Sequence, residues 1–276
     1  MKPLVVILLP VILTIISAGL LRAVGGAVRG PNIAGIAVVG GFITSWAFLL
    51  SPGWSSEDSF ERIGYIAVVA ALAGLTLDII RPTRFWTAVV AGFVICLSTW
   101  VSLNNGFISS GELSTSKALL FLVLAIVAFS VIVRLDQLRA QSVASYVVII
   151  MVALALYTQA IIVGDSSSAT TALILALCVA AYATLQLFLD VFLGDSVILG
   201  IGAALLAVAW AIAESDPSAR IGLILVPLIL FADGTAKHVP MPEARISSIL
   251  YPIVLGFVAS LPLGLGALIT FVIYGP

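Results

Sequence analysis

The sequence predicts an all-α fold, a polytopic transmembrane helix bundle of about ten spans. Of the 276 residues, 62% are hydrophobic and 9% are charged, whereas a soluble globular protein is about 45–50% apolar and about 25% charged. The apolar residues fall into runs near the ~20 residues that cross a bilayer, and turn residues and charges separate these runs. This composition excludes a water-soluble enzyme, a disordered chain, a disulfide scaffold and a nucleic-acid binder.

The apolar runs follow one another through short connections, so we expect one transmembrane domain over residues 1–276, built from five short-looped hairpins. The first run follows Lys2 and is longer than the ~7–15 apolar residues of a secretory signal, so we interpret it as a retained span. Later runs end at turn sequences such as Ser51-Pro52-Gly53. The predicted spans are 3–21, 33–51, 63–80, 85–103, 117–133, 143–163, 169–189, 196–213, 219–232 and 246–273.

The hairpins suggest an internal repeat. Repeats are common in transporter folds, but any chain of short-looped hairpins gives nearly even spacing, and both interpretations stay open. The repeat units would lie near 3–51, 63–103, 117–163, 169–213 and 219–273.

Loop charges predict the orientation, because cytoplasmic loops carry an excess of Lys and Arg. Alternate loops place more basic residues on one side, which we expect to be cytoplasmic, with both termini outside. The expected location is a bacterial inner (plasma) membrane. The basic side carries Arg22, Arg29, Arg81, Arg84, Arg134, Arg139, Lys237 and Arg245, and the opposite side carries Lys2, Arg62, Lys117 and Arg220.

The last two runs are irregular. Residues 219–232 are short and interrupted by Pro227, whereas residues 246–273 are long and contain two prolines and several glycines. Either the ninth span is thin, or this pair contains a broken or re-entrant helix. Gly264 and Gly266 mark a place where the last span could unwind at a transport site.

Aspartates recur where spans reach the basic side, and three of them have a basic residue three or four positions later. Such a spacing puts both charges on one helix face, either as an interfacial ion pair or as part of a carboxylate ring lining a cytoplasmic vestibule. The pairs are Asp78 with Arg81, Asp136 with Arg139, and Asp233 with Lys237. The vestibule candidates are Asp78, Asp136, Asp190, Asp195, Asp233 and the sole histidine, His238.

Polar side chains at membrane depth mark a candidate substrate path. The middles of the predicted spans contain no Asp, Glu, Lys, Arg or His, which argues against a proton-coupled pump. Amides are costly to expose to lipid, so Gln159 and Gln186 should face the bundle, either as interhelical hydrogen-bond partners or as the lining of a path. The path candidates are Gln159, Gln186, Tyr157, Thr158 and Tyr182.

Small residues recur at every fourth position of several spans, which lets helix backbones approach closely. This pattern predicts a packed bundle and no particular function. The seams are Ala67 with Ala71, Ala70 with Gly74, Ala88 with Gly92, and Gly256 with Ser260 and Gly264.

No motif predicts a cofactor or a metal, since Cys96, Cys178 and one histidine cannot supply four zinc ligands at the usual spacing. We expect membrane lipid as a partner, with other membrane subunits or self-association as further candidates, and no nucleic acid. The preferred hypothesis is a permease or flippase for a small neutral or amphipathic solute. The alternatives are a non-catalytic scaffold subunit of a larger membrane complex and, least favoured, an enzyme acting on a lipid headgroup at the cytoplasmic face.

Overall fold

A computed structural model describes residues 3–52, 59–81, 83–107, 115–139, 143–186, 188, 193–216, 219–239 and 244–274. Within these ranges the backbone is helical almost throughout and forms no strand. The predicted all-α class is therefore confirmed for the described part of the chain. The interpretation of the chain as five repeated hairpins in one domain stays a prediction.

Each predicted apolar run is helical over most of its length. The helices are α1 (Pro3–Val24), α2 (Gly26–Ile33), α3 (Ile36–Leu50), α4 (Ser59–Ile80), α5 (Arg84–Phe107), α6 (Thr115–Arg139), α7 (Val143–Val163), α8 (Ser166–Leu185), α9 (Asp195–Ser215), α10 (Ala219–Leu225), a 3-10 helix (Val226–Phe231), α11 (Ala232–Ala236) and α12 (Ala244–Tyr274).

Among the described residues, seven helical segments are long and apolar enough to cross a membrane. Together with two shorter apolar helices, in α3 and α5, they give the chain the helices of an integral membrane protein. The seven segments are Leu4–Val24, Phe60–Ile80, Ala144–Val163, Ser166–Leu185, Asp195–Ser215, Ala219–Ala236 and Leu250–Ile273.

Helix α9 forms the centre of the bundle, in contact with α3, α4, α5, α6, α7 and α8. Its glycines and alanines explain this position, because small side chains let neighbouring helices come close. Gly200 packs against Ala71 of α4 and Val39 of α3, and Gly202 packs against Ile132 of α6. Helices α1 and α12 instead keep most of their apolar side chains at the surface, as expected of helices that face lipid.

One predicted small-residue seam packs and another does not. A Cβ placed on Gly74 of α4 would lie 2.5 Å from the Cα of Ser196 in α9, so only glycine allows this crossing. Ala88 of α5 is exposed, and no described residue lies within 4 Å of a Cβ placed on Gly92. The Ala88–Gly92 seam therefore stays open on the surface of the described bundle.

Contacts between helix ends define two ends of the bundle. The end of α4 meets the start of α9, where Asp78 accepts hydrogen bonds from the backbone. The end of α6 meets α11, where Arg134 pairs with Asp233. We call the end of the bundle that contains both contacts the basic end, after Arg81, Arg134 and Lys237. At the opposite end the hydroxyl of Ser215 donates to Asp165 at 3.0 Å.

Several helix boundaries differ from the prediction, and two of these differences are informative. Helix α6 continues past residue 133 to Arg139, and residues 26–33 form α2 rather than a loop. Hydropathy marks only the apolar part of a helix, whereas a helix can extend past the membrane core when its long charged side chains reach the interface.

The irregular last two runs differ from each other. The ninth run is broken, because α10 gives way to a 3-10 helix around Pro227 before α11 begins. The expected unwinding near Gly264 and Gly266 is wrong: α12 is continuous with Pro252 and Pro262 inside it. Membrane helices tolerate internal prolines, since each removes one backbone hydrogen bond that neighbouring groups can replace.

Candidate functional site

The segment Ala219–Ala236, which we call the broken helix, contains the main irregularity of the described bundle. Pro227 lacks an amide hydrogen, and its ring would clash with the carbonyl of Leu223 in a regular α-helix. The tighter 3-10 geometry replaces the α-helix at this point. The broken helix packs against α7 and α12. Transporters commonly form substrate sites at discontinuous helices.

The half of the broken helix that lies away from the basic end joins a polar junction with α7 and α12, which we call the outer junction. The hydroxyl of Thr270 lies 2.6 Å from Oε1 of Gln159 and 3.0 Å from the carbonyl oxygen of Gly266. Both Thr270 and Gln159 are buried. A Cβ on Gly222 of α10 would lie 2.8 Å from both polar atoms of the Gln159 amide. Glycine at this position therefore allows α10 to reach the junction.

The half of the broken helix near the basic end is held by Arg134 of α6. Its Nε donates to the carbonyl oxygen of Leu230 at 3.1 Å, and its guanidinium group lies 5.1 Å from the ring centroid of Phe231. A terminal nitrogen of Arg134 pairs with the carboxylate of Asp233. One side chain thus binds a backbone carbonyl, an aromatic ring and a carboxylate of the same segment.

The carboxylate of Asp233 is buried between two cations. Lys237 lies 3.3 Å from its second oxygen, which confirms the predicted pairing at i and i+4. The Asp233 side chain is 2% exposed, against 20% for Arg134. The arrangement compensates the charge of Asp233, as burial of a carboxylate requires.

Asp78 caps α9, and its pairing with Arg81 stays a prediction. Its two carboxylate oxygens accept from the backbone N–H groups of Asp195 and Ser196 at 2.7 and 3.0 Å. Arg81, the first residue after α4, is exposed and has a left-handed φ of 49°. The sequence places Asp78 at the unfavourable C-terminal end of α4, but the fold brings it to the N-terminus of α9, where a carboxylate is stabilised.

Of the remaining vestibule candidates, Asp195 meets Asp78 through its backbone N–H, and two others lie at the surface. Asp136 and His238 are exposed, and Nδ1 of His238 lies 2.7 Å from the carbonyl oxygen of Gly234. Asp190 lies outside the described residues, as does the side chain of Arg139. Among the described residues, no group of three or more His, Cys, Asp or Glu side chains could hold a metal ion.

The path candidates occupy different surroundings. Gln186 ends α8, where its backbone N–H bonds to the carbonyl of Tyr182. The ring of Tyr182 is buried 6.1 Å from that of Tyr146. The hydroxyl of Thr158 bonds within its own helix at 2.8 Å, and Tyr157 is half-buried. Of the five candidates, Gln159 is the one that the described contacts bring to the broken helix.

Sequence reasoning missed Arg134, Thr270 and Gly222 as members of the site. The sequence marks Arg134 only as a loop charge, because the predicted span ends one residue before it. No sequence signal connects Thr270 or Gly222 to Gln159, since the three residues come from helices far apart in the chain.

A comparison with protein-family models and with curated proteins finds no match to this chain. The geometry of the broken helix is therefore the main indication of function.

Proposed function

We propose that the protein is an integral membrane permease or flippase for a small neutral or amphipathic solute. The observation that carries this proposal is the break at Pro227, in a helix that packs inside a bundle of apolar helices. Broken helices expose backbone groups and can move in two halves, and both properties suit a transport site. The two ends of this helix are held separately, by Gln159 and Thr270 at one end and by Arg134 at the other.

The groups at the outer junction support a neutral solute. Gln159, Thr270 and the glycine backbone are polar and uncharged, and the side chains of Gln159 and Thr270 are buried. An amide side chain carries both N–H donors and a carbonyl acceptor, so Gln159 suits a solute with uncharged carbonyl or hydroxyl groups. At the basic end, Arg134 and Lys237 are engaged with Asp233.

The topology that we propose has about ten crossings with both termini outside and the basic end in the cytoplasm of a bacterium. The excess of basic residues at that end supports this orientation. The end of α4 contacts the start of α9, and the end of α6 contacts α11. These contacts support a common, cytoplasmic side for the loops that follow α4 and α6.

The test is flux through purified protein in liposomes. Stopped-flow light scattering with urea, glycerol and erythritol measures small solutes, and dithionite quenching of a fluorescent phospholipid measures flipping. We expect one of these probes to cross faster than in protein-free liposomes, and Gln159→Ala to reduce that flux severalfold. The variant should fold, because Thr270 keeps its bond to Gly266.

Thr171→Val is the matched control, because Thr171 is buried in α8 and its hydroxyl bonds only to its own helix, at 2.8 Å. An equal loss of flux in Thr171→Val, or no flux above protein-free liposomes for any probe, would contradict the proposal.

A second candidate is a scaffold subunit of a larger membrane complex. The open Ala88–Gly92 seam of α5 favours it, because such seams pack against other helices in membrane proteins. Purification in a gentle detergent should then retain a stoichiometric partner. A monodisperse single protomer would count against the scaffold and leave the transport proposal unaffected. No observation favours the enzyme hypothesis, since Asp78 and Asp233 have separate structural partners.

A further inference from the structure

The first segment of the broken helix, α10, lies directly against the two polar side chains of the outer junction. We call Gln159 and Thr270 the polar pair; they are 2% and 0% exposed. The backbone of α10 meets this pair at Gly222, because a Cβ built there would overlap the Thr270 hydroxyl and would lie 2.8 Å from both polar atoms of the Gln159 amide. The backbone of α10 therefore shields the polar pair from one side.

The hydrogen bond of the polar pair joins α7 to α12. The Thr270 hydroxyl donates to Oε1 of Gln159 at 2.6 Å, and it also lies 3.0 Å from the carbonyl oxygen of Gly266 in its own helix. Helix α10 meets the same place through glycine backbone, since a Cβ on Gly266 would lie 3.1 Å from the carbonyl oxygen of Gly222. The polar pair can therefore keep its own hydrogen bond when α10 moves away.

The opposite face of α10 is apolar and open. Ile221 and Ile224 are 49% and 71% exposed, whereas Gly222 is buried. In a bilayer this face contacts lipid tails, which are as apolar as leucine, so a helix that shifts towards them loses little hydrophobic free energy. Displacement of α10 away from α7 and α12 therefore carries a small hydrophobic cost.

The two ends of α10 allow such a displacement. After Leu225 the chain enters the 3-10 helix, and a 3-10 stretch within a helix often marks a hinge. At the start of α10, the exposed side chain of Arg220 donates to the carbonyl oxygen of Ala213 at 3.0 Å, a bond that water can replace at little cost. Beyond the 3-10 helix, the ion pair of Arg134 with Asp233 holds the rest of the broken helix. Movement is therefore easiest in α10.

We propose that α10 is a lid over the polar pair, which opens the pair to the end of the bundle opposite the basic end and closes it again. The lid depends on the proposed transport function for its role, because it regulates access to the same polar groups. Gln159 lies four residues before the end of α7, and Thr270 lies four residues before the end of α12. The pair is thus about one helical turn inside that end of the bundle, within reach of a solute once α10 has moved.

Labelling of a thiol in place of Thr270 tests the lid independently of flux. In a chain without Cys96 and Cys178, Thr270→Cys places a thiol of similar size beneath α10. The reagent is a small charged methanethiosulfonate, added to the full chain in lipid nanodiscs, and the mass shift of the protein with time gives the rate.

Thr171→Cys is the matched control. Thr171 is also 0% exposed, and it lies five residues inside α8 from the same end of the bundle. We expect Thr270→Cys to react about tenfold faster than Thr171→Cys, because a local opening requires less free energy than unfolding of the bundle.

An alanine at Gly222 provides a second variant. Added to Thr270→Cys, Gly222→Ala should raise the labelling rate severalfold, because its methyl group overpacks the contact and displaces α10 from the pair. Gly264→Ala in the same background should leave the rate unchanged, since its Cβ meets no described atom within 4 Å. The comparison of Thr270→Cys with Thr171→Cys holds even if the Gly222→Ala variant does not fold.

The outcomes separate the lid from the transport function. Equal labelling rates for Thr270→Cys and Thr171→Cys overturn the lid, and so do equal effects of Gly222→Ala and Gly264→Ala in folded protein. The expected labelling without flux of any solute supports the lid and contradicts transport. Flux through the wild type together with equal labelling rates overturns the lid alone.

Discussion

The carboxylate of Asp233 shows how much a single buried charge depends on its partners. It lies between Arg134, which also binds a backbone carbonyl, and Lys237, whose side chain is 52% exposed. An exposed ion pair contributes little, because water screens it. Arg134 is therefore the partner that makes burial of this carboxylate tolerable.

Arg134→Met should lower the free energy of unfolding by about 3 kcal/mol, because loss of one partner leaves a buried charge poorly compensated. Chemical unfolding in micelles measures the change. Arg81→Met is the control, since Arg81 is exposed at the same end of the bundle, and its stability should stay near that of the wild type. Equal stability of Arg134→Met and Arg81→Met would show that the ion pair is not structural.

Two glycines near the outer junction provide a matched pair. A Cβ on Gly222 would overlap the hydroxyl of Thr270 and crowd the Gln159 amide, whereas a Cβ on Gly264 meets no described atom within 4 Å. Gly222→Ala should destabilise by about 2 kcal/mol, as overpacking does, and Gly264→Ala should be neutral or slightly stabilising. Thermal unfolding of both variants measures the difference. The assignment of Gly222 to the junction is wrong if the two variants behave alike.

At the scale of the element, the broken helix is explained by one residue and by its surroundings together. Pro227 prevents a regular α-helix, but Pro252 and Pro262 leave α12 continuous. Proline alone therefore does not predict where a membrane helix changes to 3-10 geometry. At the break, the side chain of Arg134 binds the carbonyl of Leu230, a contact from another helix that no local sequence pattern contains.

Pro227→Ala should let α-helical hydrogen bonds form through residues 226–231, because alanine restores the missing N–H and removes the clash. Hydrogen–deuterium exchange of peptides covering Ala219–Ala236 should slow about tenfold, equivalent to about 1.4 kcal/mol of added protection. Pro252→Ala serves as the control, since α12 is already continuous there. Unchanged exchange in Pro227→Ala would mean that contacts such as Arg134 with Leu230 impose the break.

At the scale of the whole molecule, α9 organises the bundle. The most extensive contacts are those of α4 with α9 and of α7 with α8. The first pair is far apart in the sequence, whereas the second pair is adjacent. The first pair joins two different hairpins across the chain, through Gly74 and the α9 backbone. The second pair consists of neighbours in the sequence. The short turn between them contains Asp165, which caps the N-terminus of α8.

The orientation predicts which ends a membrane-impermeant thiol reagent reaches. In a chain without Cys96 and Cys178, His238→Cys should react only after the membrane is permeabilised, and Ser166→Cys should react in intact cells. Both positions are exposed, at the basic and the opposite end respectively. Mass shift of the labelled protein measures the reaction. Reversed labelling would invert the proposed orientation, and labelling of both sites in intact cells would contradict a sealed crossing between them.

The sequence by itself determined the helical class, the apolar segments and several local relations. The pairing of Asp233 with Lys237 is local, because helix geometry brings positions i and i+4 together. The close crossing at Gly74 followed from a small-residue pattern. Periodicity and hydropathy are properties of neighbouring residues, so a chain read in order is enough to find them.

Only the tertiary structure decided the partners of the polar groups. Asp78 caps α9 and not its own helix, Gln159 meets Thr270, and Arg134 binds the broken helix. In a membrane interior most apolar surfaces are interchangeable, because lipid tails are as apolar as leucine. Buried polar groups must therefore find specific partners, and those partners come from helices that lie far apart in the chain.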